Sequence, residues 1–217
     1  MIEAGFISRE NRFVAKVLLE GQVTRVYVPS TSRLTELFIE GNRVLLKDHG
    51  TSGRKYRYSI VWAQKEGYFI PLDSALPNSL FKESYLSGEL SFLKLSGILE
   101  SEVKVSDRSR LDFKIGNTFI EVKGVSLEEA GIAYFPGAPT KRGIRHLEEL
   151  ARLSEDHGVM MVYIVVARAQ AFSILCEDRA YLEAFNKYKD RINPVALVYE
   201  GYPRPRLKGQ LPIIECS

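Results

Sequence analysis

The most constraining feature of the sequence is an uninterrupted apolar run of nine residues, Val159–Ala167. Because side chains alternate between the two faces of a strand, a strand formed by this run has no polar face. Strands of this kind lie in the middle of a sheet that helices cover on both sides. The run is about half as long as a membrane-spanning helix. It therefore predicts a buried central strand in a layered α/β domain.

Two segments with helical periodicity flank this run. The first, Lys141–His157, places its apolar residues on one face. The second, Asp178–Arg191, starts with Asp178 as an N-cap and is followed by a strand at Val195–Tyr199. The residues expected to face the core are Ile144, Leu147, Leu150, Ala151 and Ser154 in the first helix, and Tyr181, Leu182, Phe185 and Tyr188 in the second. This order of elements is typical of an α/β layer sandwich.

Upstream of the first helix, alternating apolar and polar residues predict a β-hairpin. Its strands are Leu111–Ile115 and Thr118–Lys123, and the Gly116-Asn117 pair between them is a favoured two-residue turn. In this register, the fourth pair counted from the turn joins Asp112 to Glu121. Their Cβ atoms would then lie about 5 Å apart.

Lys123 follows Glu121 by two residues, so both side chains point to the same face of the strand. Ile120 and Val122 point to the other face, which we expect to pack in the core. The face that carries Asp112, Glu121 and Lys123 is then expected to meet solvent.

Two carboxylates directly opposite each other destabilise a strand pair unless a cation compensates them. Lys123 supplies one cation, and a divalent metal would supply another. Mg²⁺ in proteins is typically held by one or two carboxylates together with water and substrate phosphate. The cluster therefore predicts a metal site in which Lys123 orients or deprotonates water. The alternative is a surface ion-pair ladder without catalysis, in which Arg110 or Lys114 neutralises Asp112.

The D…ExK pattern of Asp112, Glu121 and Lys123 resembles the PD-(D/E)xK nuclease signature, and its surroundings resemble the sugar fermentation stimulation protein family. The matching segments are, in chain order, VPSTSRLTELFIEGNRVLL at 28–46, LPNSL at 76–80, SRLDF at 109–113, FIEVKGVSL at 119–127 and YFPGAPTKRGIRHLEEL at 134–150. The sequence departs from the family at 29–33, with PSTSR in place of PNTGR, and at 135–138, with FPGA in place of FPDA. The second departure removes an acidic side chain.

The resemblance implies an OB-like β-barrel at residues 1–71 that binds nucleic acid, followed by a restriction-endonuclease-like, PD-(D/E)xK type α/β domain at residues 72–217. It implies that Asp112, Glu121 and Lys123 are catalytic. It also implies that Asp112, Glu121 and Glu102 hold Mg²⁺ or Mn²⁺, with the backbone carbonyl of Val122 a further candidate ligand. Glu102 matches the upstream acidic residue of nuclease-like sites, and Glu100 is a rival because the local register is open.

The N-terminal part reads as a small barrel on its own pattern as well. Five short strands are expected, at Phe13–Leu19, Val23–Val28, Arg43–Lys47, Tyr56–Gln64 and Tyr68–Pro71. Five strands in about seventy residues are typical of the OB-fold. Residues 1–71 carry 11 Lys/Arg against 7 Asp/Glu, whereas residues 72–217 carry 19 against 20. The positive excess of the first part favours a polyanionic partner.

Two basic clusters are candidate nucleic-acid contacts. The cluster in the barrel consists of Arg33, Arg54, Lys55, Tyr56, Arg57 and Tyr58, in which tyrosines for base stacking stand among cations. The alternative there is a solvated strand. The other cluster opens the first helix with Lys141, Arg142, Arg145 and His146, where cations oppose the helix dipole unless they bind an anion such as phosphate. Pairing with Glu148 and Glu149 is the alternative, and His146 could equally be a structural hydrogen-bonding group.

Other features bear on location and covalent structure. No basic leader with an apolar signal core opens the sequence, so we expect a cytoplasmic protein without a membrane partner. Cys176 and Cys216 have no metal-ligand spacing and are expected to be unpaired. We expect a loop at Ser126–Thr140 and a tail with three prolines at Tyr202–Ser217 that clamps either domain.

Two functions from different classes follow. The first is a Mg²⁺-dependent phosphodiester hydrolase, a nuclease that acts on DNA or RNA, with DNA the expected partner. The second is a DNA-binding regulator of sugar metabolism genes that has the nuclease-like fold but does not cleave. The intact D…ExK pattern favours the first.

Overall fold

The computed structural model describes residues 1–30, 34–50, 53–106 and 109–216. The chain divides into two compact units, Met1–Leu76 and Pro77–Ser217. None of the helices in these ranges has the length and the apolar character that a membrane crossing requires.

The first unit is a small β-barrel, as predicted. Its strands are β1 (Ile2–Asn11), β2 (Val14–Leu19), β3 (Gln22–Tyr27), β4 (Arg43–Asp48), β5 (Tyr58–Lys65) and β6 (Tyr68–Pro71). The sheet order is β3-β2-β1-β4-β5-β6, and a pairing between Tyr27 and Ser59 joins β3 to β5 and closes the barrel. Strand β1 was not predicted, because Ala4 and Gly5 interrupt its pattern with residue types that are depleted in strands.

The second unit is a mixed α/β domain built on a six-stranded sheet. Its elements are α1 (Leu76–Leu86), a 3₁₀ turn (Ser91–Leu93), β7 (Leu99–Ser106), β8 (Ser109–Ile115), β9 (Thr118–Val125), β10 (Leu127–Glu129), β11 (Ile132–Phe135), α2 (Lys141–Leu153), β12 (Gly158–Val165), β13 (Ala171–Ile174), α3 (Arg179–Ile192), β14 (Pro194–Glu200), β15 (Arg206–Leu211) and β16 (Ile213–Ile214). The main sheet has the order β15-β14-β12-β9-β8-β7.

The apolar run forms strand β12, which lies inside the main sheet and runs parallel to both β9 and β14. Every residue of β12 after Gly158 is buried. Helix α1 covers one face, where the rings of Phe81 and Phe113 lie 5.3 Å apart. Helices α2 and α3 cover the other face, where the hydroxyls of Tyr163 and Tyr181 are 2.9 Å apart. The predicted layered α/β architecture is confirmed.

The expectation of a loop at Ser126–Thr140 is wrong. This segment contains β10 and β11, which join β13 and β16 in a second sheet of order β10-β11-β13-β16. The C-terminal tail at 202–217 supplies β15 and β16, two strands that the sequence did not predict. These strands have two to six residues, and two of them, β11 and β16, pair with β13, which is about forty residues away in the chain. Short strands of this kind leave little periodicity in the sequence.

The two cysteines are joined as a disulfide, Cys176–Cys216, with Cα atoms 5.6 Å apart. The expectation that they are unpaired is therefore wrong. Cys176 precedes α3 and Cys216 follows β16, so the bridge ties the C-terminal strand to the start of the last helix. Forty residues separate the two cysteines, and their proximity arises only when β13 and β16 pair.

We predict that a side chain at the first position of the β8–β9 turn destabilises the protein more than one at an open turn glycine. Gly116 has φ +56°, and a Cβ built there would collide with the Ser96 carbonyl oxygen. Gly131 also has positive φ, +82°, but has open space around it. Gly131→Ala should lower the free energy of unfolding by about 1 kcal/mol, and Gly116→Ala by about 2–4 kcal/mol. Chemical denaturation measures both, and equal losses would show that the turn moves freely away from Ser96.

Candidate functional site

The site begins at the predicted hairpin. Its ladder pairs Ile115 with Thr118 and ends at the pair Phe113–Ile120, which confirms the two-residue turn at Gly116-Asn117. The next residue on β8 is Asp112, whose side chain forms a hydrogen bond to the neighbouring strand β9. Its Oδ2 accepts a hydrogen bond from the backbone N–H of Val122 at 2.8 Å.

The other oxygen of Asp112 is held from a different element. Asn78, in the first turn of α1, donates its side-chain N–H to Oδ1 of Asp112 at 2.8 Å. Burial, followed by the negative charge of Glu121, raises the pKa of Asp112 to about 6, although the hydrogen bonds from Val122 and Asn78 oppose the rise. Asp112 is therefore a fixed carboxyl group whose charged form needs a nearby cation.

Glu121 lies in the middle of β9 and is 3% exposed. Its Oε1 accepts hydrogen bonds from Lys123 Nζ, at 2.5 Å, and from His146 Nδ1. Burial would raise its pKa, but the His146 and Lys123 contacts outweigh burial and hold the pKa below its ordinary value. Oε2 is buried and has no hydrogen-bond partner within the part of the chain that the structure describes.

The expectation that this face meets solvent is wrong. Helix α2 packs over it and places His146 directly against Glu121. Asp112 is half-buried, and the Lys123 side chain is 14% exposed. The reason lies beyond the hairpin itself, because β9 is an interior strand of a sheet covered on both faces.

His146 is 2% exposed, so the structure places it inside the cluster and away from the surface expected of a nucleic-acid contact. Its Nε2 accepts a hydrogen bond from Arg142 Nε at 3.3 Å. Arg142 and His146 are four residues apart and therefore lie on the same face of α2. The spacing in the sequence therefore predicts contact between Arg142 and His146. It does not predict the contact between His146 and Glu121.

The upstream acidic residues lie on β7. Ladder pairs Ser101–Phe113 and Val103–Leu111 flank Glu102 and Asp112, so the register sets these two residues side by side. Both Glu100 and Glu102 are exposed. In the described ranges, no group of three or more His, Cys, Asp or Glu side chains is arranged to hold a metal ion. The role of Glu102 as a third ligand stays a prediction.

In the barrel, the basic cluster is only partly available. Arg57 forms a two-pronged ion pair with Asp48, with Nη2 and Oδ2 2.8 Å apart, and this hydrogen bonding lowers the pKa of Asp48 to about 2. Arg54 and Lys55 are exposed, whereas Tyr56 and Tyr58 are half-buried. Lys55 and Arg57 lie over the Tyr56 and Tyr58 rings, at 5.6 and 5.0 Å. Arg33 lies outside the described residues.

The start of α2 is capped by Thr140, whose hydroxyl accepts a hydrogen bond from the backbone N–H of Gly143 at 2.9 Å. The three cations predicted to bind phosphate, Lys141, Arg142 and Arg145, are all exposed there. They lie on the helix whose buried face supplies His146, which brings a basic surface close to the Glu121 carboxylate.

Together these features define a protein class: an OB-type barrel followed by a mixed α/β domain that carries two carboxylates and a lysine on adjacent strands. Two family models match the chain. "SfsA N-terminal OB domain" covers residues 7–72, and "Sugar fermentation stimulation protein RE domain" covers residues 75–199. The chain belongs to the sugar fermentation stimulation protein family.

Individual relatives agree with this family. The sugar fermentation stimulation protein homologs of Aquifex aeolicus and Saccharolobus solfataricus are each 38% identical to this chain. The first alignment covers 87% of this chain and 85% of the relative, and the second covers 92% and 78%. The structure of Pyrococcus furiosus SfsA in complex with Ca²⁺ superimposes with a TM-score of 0.87 at 26% identity, over 98% of this chain and 95% of that one.

We predict that Asp112 makes stability fall as pH rises. Its pKa is about 6 in the folded protein against an ordinary 3.8, so between these values the folded state binds more protons than the unfolded state. Without divalent ions, Asp112→Asn should gain stability relative to wild type from pH 4.5 to 7, by up to about 3 kcal/mol. Urea denaturation in EDTA across this pH range measures the difference. Parallel pH profiles for the two proteins would contradict the assignment.

Proposed function

We propose that the protein is a divalent-metal-dependent phosphodiesterase that cleaves nucleic acid, with DNA as the expected substrate. The observation that carries this proposal is the state of Glu121. One carboxylate oxygen is occupied by two donors, while the other is buried without a partner among the described residues. Buried polar atoms in proteins are nearly always satisfied, so an oxygen of this kind is a position for an ordered water or a metal ion.

The residues present fit a hard divalent cation. Asp112 and Glu121 offer carboxylate oxygens, the donors that Mg²⁺ and Ca²⁺ prefer. Burial and the charge of Glu121 raise the pKa of Asp112, so a bound cation would stabilise its ionised form. The Val122 carbonyl is a further candidate oxygen. The Ca²⁺ complex of the Pyrococcus furiosus relative supports a cation in this family. When bound, Mg²⁺ or Mn²⁺ would polarise a phosphoryl oxygen and lower the pKa of a bound water.

Lys123 supplies the fixed positive charge of the site. Its ammonium is held by Glu121 Oε1 at 2.5 Å, and two further N–H donors can point toward solvent or substrate. A preorganised ammonium in a partly buried site stabilises the negative charge that develops on phosphate in the transition state. In the same position it orients the attacking water.

The barrel supplies the expected binding surface for the strand. OB barrels bind single strands through basic grooves and aromatic platforms, and Arg54 and Lys55 offer exposed charge to phosphate. The exposed cations Lys141 and Arg145 at the start of α2 would add phosphate contacts beside the carboxylates.

A specific observation favours a second candidate function, a DNA-binding regulator that does not cleave. The described part of the chain holds no three-ligand acidic or histidine cluster, whereas many metal-dependent nucleases recruit more than two protein ligands. A chain with the same surface charges and an incomplete metal site would bind DNA without hydrolysis. The following experiments separate these two functions.

Lys123→Ala should reduce Mg²⁺- or Mn²⁺-dependent cleavage by about 10² or more, because it removes the fixed charge at the scissile phosphate. Its affinity for uncleaved DNA in Ca²⁺ should change far less, since one phosphate contact is a small part of the interface. Lys208→Ala, an exposed lysine on β15, is the matched control. Labelled single- and double-stranded DNA and RNA serve as substrates, with EDTA as blank. If the wild type binds DNA but cleaves no substrate with any metal, the nuclease proposal fails and the DNA-binding regulator is supported.

Glu121→Gln keeps the shape of the side chain and removes its charge, so Mn²⁺ affinity should fall by at least about tenfold. Glu129→Gln, an exposed position on β10, should bind Mn²⁺ like wild type. Calorimetric titration measures both, with circular dichroism to confirm folding. Unchanged affinity in Glu121→Gln would place the metal elsewhere.

Removal of both Arg54 and Lys55 should lower the salt slope of DNA affinity by about two, since each phosphate-binding cation contributes roughly one to the slope. Arg57→Ala should have a smaller effect, because Asp48 already neutralises Arg57. Fluorescence anisotropy at several salt concentrations gives the slopes. If the double variant keeps the wild-type slope, this cluster is only a solvated face.

A further inference from the structure

Arg142 and His146 form a chain of contacts that ends on the Glu121 carboxylate. Arg142 Nε lies 3.3 Å from His146 Nε2, and His146 Nδ1 contacts Glu121 Oε1. The arginine Nε can only donate, so Nε2 of the ring must accept. The ring proton is therefore on Nδ1, where it is donated to Glu121.

This assignment also settles the geometry around Lys123. Its Nζ lies 3.1 Å from His146 Nδ1, which carries a proton and cannot accept from the ammonium. Both donors therefore converge on the same oxygen, Oε1 of Glu121. Rotation of the Glu121 carboxylate would break both of these hydrogen bonds. The two donors therefore hold it in one orientation, which also fixes where Oε2 points.

We propose that His146 is a positioning residue for the metal site, held in its Nδ1–H tautomer by Arg142, so that Glu121 presents Oε2 as its free oxygen. The inference rests on the proposed metal site and assigns a role to two residues outside the proposed set of metal ligands. Lys123 alone would not fix the orientation of the carboxylate, because its four-carbon side chain is flexible. The rigid ring on α2 removes that freedom.

A purely structural role for His146 gives different expectations. A histidine that only fills space would influence stability, while metal affinity and the tautomer would be independent of Arg142. A positioning histidine links all three, because the partner of a ligating side chain typically contributes 10- to 100-fold to metal affinity.

The first test reads the tautomer in metal-free protein. Nitrogen NMR of ¹⁵N-histidine-labelled protein distinguishes Nδ1–H from Nε2–H, and the chain has only three histidines. Single replacements of His49 and His157 assign the remaining signal to His146. We expect Nδ1–H in wild type and a mixture of tautomers in Arg142→Ala. An Nε2–H ring in wild type, or a signal that Arg142→Ala leaves unchanged, would overturn the inference without reference to any metal.

The second test measures Mn²⁺ affinity. His146→Phe should weaken binding by about tenfold, whereas His146→Asn, whose amide N–H can replace Nδ1–H, should recover most of the loss. Arg152→Ala, an exposed arginine in the last turn of the same helix, is the control and should match wild type. Thermal melting of each variant confirms folding. If wild type binds Mn²⁺ and all His146 variants bind it equally, the positioning role fails while the metal site stands. If wild type binds no Mn²⁺, the proposed metal site itself fails.

Discussion

The structure of the second unit depends on one buried charge, the carboxylate of Glu121. A carboxylate that is 3% exposed is costly unless donors and a cation compensate it. Lys123 comes from the same strand, and His146 comes from a helix that packs across the sheet. Strand β9 and helix α2 must therefore dock with His146 against Glu121, because any other arrangement would remove the imidazole donor from the buried carboxylate. The buried charge of Glu121 thus constrains where helix α2 packs on the sheet.

The pKa values of the two carboxyl groups in the cluster are shifted in opposite directions. Burial and the charge of its neighbour raise the pKa of Asp112 to about 6, whereas close donors keep Glu121 ionised despite its burial. Pairs of titratable groups whose environments separate their pKa values are typical of sites that handle protons or cations. The donors are also unequal in kind: Asp112 is held by an amide and a backbone N–H, and Glu121 by an ammonium and an imidazole.

Local patterns predicted much of this arrangement. The Gly116-Asn117 turn sets the register of the hairpin, and period-two alternation then groups Asp112, Glu121 and Lys123. The continuous apolar run located β12 for a similar reason. The contact between His146 and Glu121 was not predictable, because it joins residues twenty-five positions apart through the packing of a helix on a sheet. The second sheet and the disulfide were missed because each forms between distant segments.

Strand β7 bears on whether two copies of this protein could associate through their sheets. It is the outer strand of the main sheet, next to β8 on one side only, and an outer strand offers its free backbone groups to any other chain. Here Glu100, Glu102 and Lys104 are all exposed along it, and Glu102 has φ +55°, which bends the backbone out of the flat strand form. Charges and a bend of this kind discourage strand-to-strand association between molecules. Glu100 and Glu102, which lie near the candidate metal site, thereby also disfavour aggregation through the open edge of the sheet.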